Sequence, residues 1–250
     1  MKQNIIFCPV GIPVYNHPTE YDKDNHWRYV KPERLYETFI YQYKDDFEPE
    51  LGTYDHIAKG SGFKWEIVKK FLDNIDYTKY EYVGFFDDDV ITDIDSVNYA
   101  ISLAHDRNIK MFQLSLLEGS ERTHRVVFQD TLLKYSITNF NEGMGCFIHS
   151  SLIPILLEFY NFHQPKSGFG LDCIMCHIMK QKAAVIHSKS MYHPPANFYG
   201  YTPHYYDLSE AMNEMSHIFK NVYPKFMKQV YNEDTGPFNV PQTVFEIVMK

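Results

Sequence analysis

The chain has 250 residues and a formal net charge of −8, from 24 Lys and Arg against 32 Asp and Glu. That balance excludes general electrostatic attraction to nucleic acid or anionic lipid, so any such partner would need a local basic face. A hydrophobic content of 44% and an aromatic content of 16% exclude a disordered chain. Residues 5–10 form an apolar run that reads as a first strand and ends at Pro9-Val10-Gly11-Ile12-Pro13, where Gly11 allows close approach of the backbone to a ligand. Residues 16–50 are polar and aromatic, with a short helix expected around 33–43. Ser61 is placed to cap a helix over residues 62–72, whose apolar positions Ile67, Val68, Phe71 and Leu72 fall on one face. A strand then runs into Asp87-Asp88-Asp89, followed by a helix over 94–106 and a strand over 109–114.

Further along, residues 126–129 and 132–138 read as a hairpin and 144–149 as a core strand. Helices are expected over 151–162 and 170–181, with a strand over 183–187 between the second helix and the tail. The tail has helical character over 208–222, as a C-terminal extension from about residue 205, and less order beyond Gly236. Alternation of strands and helices predicts an α/β fold, with a mostly parallel central sheet flanked by helices and ligands at the carboxyl ends of the strands. No Pro/Gly/Ser-rich linker divides the chain, so a single domain over residues 1–250 is expected. The apolar run at residues 5–7 is too short for a signal peptide, and no stretch approaches about 18 apolar residues. A cytoplasmic protein, bacterial or in a phage-infected host, is the expectation.

The segment Tyr82-Val83-Gly84-Phe85-Phe86-Asp87-Asp88-Asp89 carries the sharpest chemical signal. Three adjacent carboxylates repel one another, and a hard divalent cation such as Mg²⁺ or Mn²⁺ relieves that repulsion by accepting oxygen ligands. The competing reading is a solvated acidic turn, which the abrupt junction of apolar strand and acids disfavours. Asp87 and Asp89, two apart, can reach one cation. Cys173 and Cys176 form a Cys-x-x-Cys pair, but Cys8 and Cys146 do not supply a second pair at zinc-site spacing, so reduced thiols are expected. No P-loop, no G-x-G-x-x-G and no G-x-S-x-G is present, which removes the phosphate loops of ATPases and dinucleotide enzymes and the nucleophile elbow of hydrolases.

Several short segments in this order resemble the GT-A glycosyltransferases, and more closely the plant and bacterial "domain of unknown function 707" family. They are Lys64-Trp65 with Lys69-Lys70-Phe71-Leu72, Tyr80-Glu81-Tyr82 leading into the acidic triplet, Gln113-Leu114-Ser115, Glu142-Gly143-Met144, Ser167-Gly168-Phe169-Gly170-Leu171-Asp172 and His193. Together they span roughly residues 60 to 195. The chain departs from the family at Asp88, where Glu is usual, and in its aromatic segment over 16–50.

The resemblance implies a metal-dependent transfer of a sugar from a nucleotide-diphosphate sugar, most readily a UDP-sugar, to a hydroxyl acceptor with inversion. By position, Asp87, Asp89 and His193 would hold Mn²⁺ or Mg²⁺, with His187 the rival to His193. Gly11, Lys64, Trp65, Asp87, Asp88 and Gln113 would bind the donor, with His124 a weaker carry-over. Asp172 would be the base, kept ionised by the helix N-terminus, and Glu142 would bind the acceptor or act as base instead. Each has a plainer reading: Asp172 as a helix-terminal charge, Trp65 as core packing. The acceptor is either a saccharide or a hydroxymethylated base in DNA. The DNA reading requires Lys69, Lys70, Arg122, Arg125, Lys180 and Lys182 to gather around the site. A non-catalytic nucleotide- or sugar-binding module of the same fold is the alternative.

Overall fold

The computed structural model describes residues 3–14, 25–121, 124–195 and 207–250. Strand β1 (Gln3–Val10) lies inside the sheet, with Ile5 and Phe7 in one apolar cluster and Ile6, Cys8 and Val10 in another. Burial on both faces is what an uninterrupted apolar strand requires. It pairs in parallel with β2 (Tyr36–Gln42), which pairs in parallel with β3 (His56–Lys59). On its other side β1 pairs in parallel with β4 (Tyr80–Phe86). Strands β5 (Met111–Leu116), β6 (Leu133–Thr138), β7 (Gly145–His149), β8 (Ala183–Met191) and β9 (Val244–Met249) complete a nine-stranded sheet in the order β3-β2-β1-β4-β7-β5-β8-β6-β9.

Helices cover both faces. One cluster joins α1 (Lys64–Asn74), α3 (Ile153–Phe162) and α4 (Leu171–Ile178) to α6 (Tyr223–Tyr231). The other buries Val97, Ala100, Ile101 and Ala104 of α2 (Ile94–Asp106) against the opposite face. The fold is α/β as expected, but the sheet is not mostly parallel. Four pairings are parallel, β1·β2, β1·β4, β2·β3 and β5·β8; four are antiparallel, β4·β7, β5·β7, β6·β8 and β6·β9. Insertion of β7 between β4 and β5 splits the parallel half from the rest.

Other local expectations also change. Residues 33–43 contain β2 rather than a helix: Tyr36, Thr38 and Ile40 are buried in alternation, a period of two that the aromatic content obscured. Helix α1 starts at Lys64, and its entry is closed by the Glu66 carboxylate accepting from the Phe63 N–H at 3.0 Å rather than by Ser61. No hairpin joins 126–129 to β6. Residues 125–127 form a 3₁₀ turn, Phe128 bridges to Leu116, and β6 pairs with β8 and β9. The tail beyond Gly236 supplies β9, because strand β6 offers an open edge that local sequence does not reveal. No described helix is long and apolar enough to cross a membrane.

The C-terminal helices are built into the core beside α4. In α5 (Leu208–His217) the Asp207 side chain accepts from the Ser209 N–H at 2.6 Å, and the following turn and α6 bury Ile218, Val222, Phe226 and Met227. Glu214 of α5 reaches the turn that leads into α4: Oε1 accepts from the Lys166 N–H at 2.8 Å, and Oε2 accepts from the Ser167 N–H at 2.8 Å and its hydroxyl at 2.5 Å. Partial burial acts to raise the Glu214 pKa, but the bonds from His163, Ser167 and the two amides prevail and hold it at about 2, below its ordinary 4.5. A depressed carboxyl stabilises the fold above its unfolded pKa and loses that contribution as pH falls through the folded value. Thermal unfolding followed from pH 4.5 down to about 2 should therefore show a steeper loss of Tm in the wild type than in Glu214→Gln. Equal slopes would mean that the clamp carries no stability.

Candidate active site

Strand β1 runs to β2 and β3 on one side, while β4 lies on the other side of β1, so the carboxyl ends of β1 and β4 flank a crevice of the kind that holds ligands in open α/β sheets. Gly11 follows the first strand and Asp87-Asp88-Asp89 follows the second. The Gly11 N–H donates to Asp88 Oδ2 at 2.8 Å, tying the two strand ends together, and the Tyr43 hydroxyl lies 3.4 Å from the same oxygen. A Cβ at Gly11 would stand 2.3 Å from Tyr43 Cζ, so this approach depends on glycine. Burial and then the neighbouring Asp89 push the Asp88 carboxyl up to about 7, against the Gly11 bond and the charge of Arg28.

The outer two acids meet different cations. Asp87 Oδ1 accepts from Lys64 Nζ at 2.5 Å, and the same ammonium donates to the Gly143 carbonyl at 2.6 Å. Burial still raises the Asp87 carboxyl, with Lys64 working against it. His193 Nε2 stands 3.2 Å from Asp89 Oδ1. The residues just before His193 are stitched to the loop after β4: Ile91 and Tyr192 exchange backbone hydrogen bonds at 2.9 and 2.8 Å, and the Thr92 hydroxyl donates to the Ser190 carbonyl at 2.9 Å. Burial would lower the His193 pKa, but the carboxylates of Asp89, Asp87 and Glu121 hold it up at about 9. Burial would raise Asp89, and the His193 charge keeps it low.

One oxygen, one oxygen and one nitrogen from Asp87, Asp89 and His193 lie within 4.8 Å of one another. His193 Nδ1 is buried without a hydrogen-bond partner among the described residues, while buried Asp89 Oδ1 faces His193 Nε2. Hard carboxylate oxygens with one imidazole fit a divalent cation of the Mg²⁺ or Mn²⁺ class. His193 must give up its proton to act as a ligand. His187 is turned elsewhere: its Nε2 lies 2.9 Å from the Ser136 hydroxyl and its Nδ1 accepts from the Asp130 N–H at 3.1 Å. All four cysteines are free thiols.

A second pair of acids sits beyond Gly143. Glu142 is 3% exposed, and its N–H donates to the Gln113 side-chain oxygen at 2.6 Å. Gln113 itself is fully buried in β5, so it positions Glu142. Asp172 lies in the first turn of α4, its Oδ1 accepting from the Cys173 N–H at 2.8 Å, and its carboxyl is hydrogen-bonded to Glu142. The helix N-terminus was expected to keep Asp172 ionised. Burial dominates instead and raises its pKa, against the Cys173 amide, His124 and Glu142. His124 faces the same cluster, 3.9 Å from Cys173 Sγ.

Trp65 packs behind these residues at 4% exposure, with Lys64 Nζ 5.4 Å from its ring centroid and Phe85 6.1 Å away. It fills the space beside Gly168, where φ is +79° and a Cβ would stand 2.0 Å from the indole nitrogen. Sequence reading missed three contributors. Glu214 clamps the turn before α4, Arg28 is fully buried close enough to Asp88 to act on its carboxyl, and Asn141 is fully buried beside Glu142 with both amide atoms unpaired among the described residues. Nothing in their local sequence marks them: Glu214 and Arg28 act on residues distant in the chain, and the burial of Asn141 is set by packing.

No family model matches the chain, so the resemblance to the "domain of unknown function 707" family is not shown, and no curated protein matches it. Solved structures share its fold. A crystal structure of S. aureus TarS aligns at TM-score 0.51 and 10% identity over 92% of this chain and 43% of that one. A second, TarS 1-349 in complex with UDP-GlcNAc, aligns at TM-score 0.50 and 12% identity over 93% of this chain and 73% of that one. TarS is a glycosyltransferase of the GT-A type, and the likeness at these identities is one of fold.

Two measurements check the geometry. Mn²⁺ should raise the wild-type Tm in a concentration-dependent way, by the equivalent of about 2.7 kcal/mol at a hundred times its Kd. Asp89→Asn should abolish that shift, and a wild type indifferent to Mn²⁺ and Mg²⁺ would exclude the cation site. Gly168→Ala combines a left-handed φ with a clash against Trp65 and should cost about 1–3 kcal/mol in urea unfolding.

Proposed function

We propose that this protein is a metal-dependent glycosyltransferase that moves a sugar from a UDP-sugar onto a hydroxyl group, with inversion. The observation that carries the reading is the Asp87, Asp89 and His193 cluster at the carboxyl end of β4, next to the β1 end, in a fold shared with a glycosyltransferase. That TarS is found with UDP-GlcNAc supports a nucleotide-sugar donor for the same crevice here. When bound by Asp87, Asp89 and His193, Mn²⁺ or Mg²⁺ would supply Lewis-acid stabilisation of the charge that develops on the departing diphosphate.

The protein's own groups account for the rest. Lys64 holds Asp87 and the Gly143 carbonyl together, which fixes the separation between the acidic triplet and Glu142. The Asp172 and Glu142 pair receives the proton of the acceptor hydroxyl, with Asp172 as the base. Its burial-raised pKa makes its carboxylate a stronger proton acceptor. The acceptor oxygen forms the new bond to the anomeric carbon as the bond to the diphosphate oxygen breaks, and that electron pair leaves with UDP.

For the acceptor, the charge distribution favours a saccharide over DNA. Lys180 and Lys182 precede β8 whereas His193 follows it, so these lysines lie at the opposite end of the strand from the site. Lys180 is paired with Glu233 at 2.5 Å and Lys69 with Asp73 at 2.6 Å. Arg122 lies outside the described residues.

Turnover of UDP-GlcNAc in Mn²⁺, with water or a saccharide panel as acceptor, tests the proposal against a binding-only module. Asp172→Asn should cut transfer by roughly 10²–10⁴-fold while UDP affinity changes by less than about twofold. Asp89→Asn should weaken metal and UDP binding together. Metal-independent UDP binding with no turnover of the donor would point to the binding module. A product that keeps the donor's anomeric configuration would remove Asp172 as base.

A further inference from the structure

Arg28 presents a charge that the fold leaves unanswered. Its side chain is fully buried, and Nε, Nη1 and Nη2 all lack a hydrogen-bond partner among the described residues. A guanidinium carries five donors in a planar fork, cannot shed its charge at physiological pH, and is costly to bury without an acceptor. Proteins keep such a group only where something else repays its cost.

The backbone around it is fixed, so the group has not been left aside by a loose loop. The Trp27 N–H donates to the Thr92 carbonyl at 3.2 Å, its indole N–H donates to the Val90 carbonyl at 2.8 Å, and its own carbonyl accepts from the Tyr36 hydroxyl at 2.6 Å. The Arg28 N–H donates to His26 Nδ1 at 3.2 Å, and His26 bridges to Asp93. These contacts hold residues 26–28 against the loop that follows the acidic triplet, on the β1 side of the crevice.

The charge acts on His26, Asp88 and Cys8. Burial, with Arg28 second, drives His26 down to about 3, so a neutral imidazole faces the guanidinium. Arg28 opposes the rise in Asp88 and is the leading charge acting against the burial of Cys8. Asp88 is the one carboxylate among these neighbours, and one of its oxygens already accepts the Gly11 N–H. Among the described residues no acceptor takes up the donors of Arg28, which leaves them to an incoming acceptor at the end of β1.

We propose that Arg28 is a phosphate-binding residue of the donor site, one that recognises phosphate oxygens of the nucleotide directly and without a divalent cation. A guanidinium matches phosphate bidentately, and phosphate supplies acceptors and charge without competing donors. The inference rests on the nucleotide-sugar reading and adds to it a second, cation-independent hold on the diphosphate. It also predicts a trade: an unpaired buried cation destabilises the ligand-free protein and strengthens the liganded one.

Arg28→Met and Arg28→Lys, titrated by calorimetry in EDTA with UDP, UMP, uridine and inorganic pyrophosphate, test this assignment. Thermal unfolding of the ligand-free proteins accompanies the titrations. Arg28→Met should lose at least about tenfold in UDP affinity in EDTA. Uridine affinity should be unchanged, and the ligand-free Tm should equal or exceed that of the wild type. Arg28→Lys keeps the charge without the fork and should fall between. Equal UDP affinity in EDTA for wild type and Arg28→Met overturns the proposal, as does equal loss of uridine and UDP binding. A lower ligand-free Tm for both variants with unchanged UDP affinity marks Arg28 as structural and overturns it too. Pyrophosphate binding that needs Arg28, without preference for UDP, keeps the phosphate site and removes the nucleotide-sugar reading. Mn²⁺-dependent UDP binding that ignores Arg28 does the reverse.

Discussion

Three carboxylates follow one another at the end of β4, and much of the site exists to hold them there. Each has a separate partner from a separate part of the chain: Lys64 of α1 for Asp87, the Gly11 amide after β1 for Asp88, and His193 after β8 for Asp89. Repulsion among three adjacent anions would splay a free loop. Here it is met by an ammonium, a backbone dipole and an imidazolium arriving from three directions, which fixes the loop and brings three distant segments to one point.

The same contacts connect the two halves of the site. Lys64 bonds to Asp87 and to the carbonyl of Gly143, and the next residue back is Glu142, which touches Asp172. Neighbouring Trp65 fills the space under Gly168. Lys64 and Trp65, adjacent on one helix, thus set the triplet and the acid pair against a common support. Behind α4 stands the C-terminal helix α5, whose Glu214 holds the turn before it. That tail belongs to the machinery that aims Asp172.

Polar groups left unpaired in the interior mark the crevice as a place built for something else. His193 Nδ1, the Arg28 guanidinium and the Asn141 amide are buried without hydrogen-bond partners among the described residues. Arg28 and His193 add positive charge beside the acids. A site that sets buried cations beside clustered carboxylates suits a ligand that brings metal and phosphate together.

The sequence by itself determined what depends on neighbouring residues. The apolar run into Asp87-Asp88-Asp89 marks a buried strand and its acidic end, the spacing of Ile67, Val68, Phe71 and Leu72 marks α1, and the glycines before Asp172 mark the start of a helix. These signals are periodicity and local chemistry, which a short window contains. Only the tertiary structure decided what depends on pairing across the chain. Strand β2 lies where a helix was read, because the parallel partners β1 and β3 select the alternate burial of Tyr36, Thr38 and Ile40. Strand β9 forms because β6 presents an edge more than a hundred residues earlier in the chain. The choice of His193 over His187 follows from the stitching of Ile91 to Tyr192, and the rise of the Asp172 pKa from burial that no helix-terminal rule contains. Nothing in the sequence around Arg28 marks it as buried. Folding buries it within reach of Asp88, since desolvation is a property of the whole packed chain.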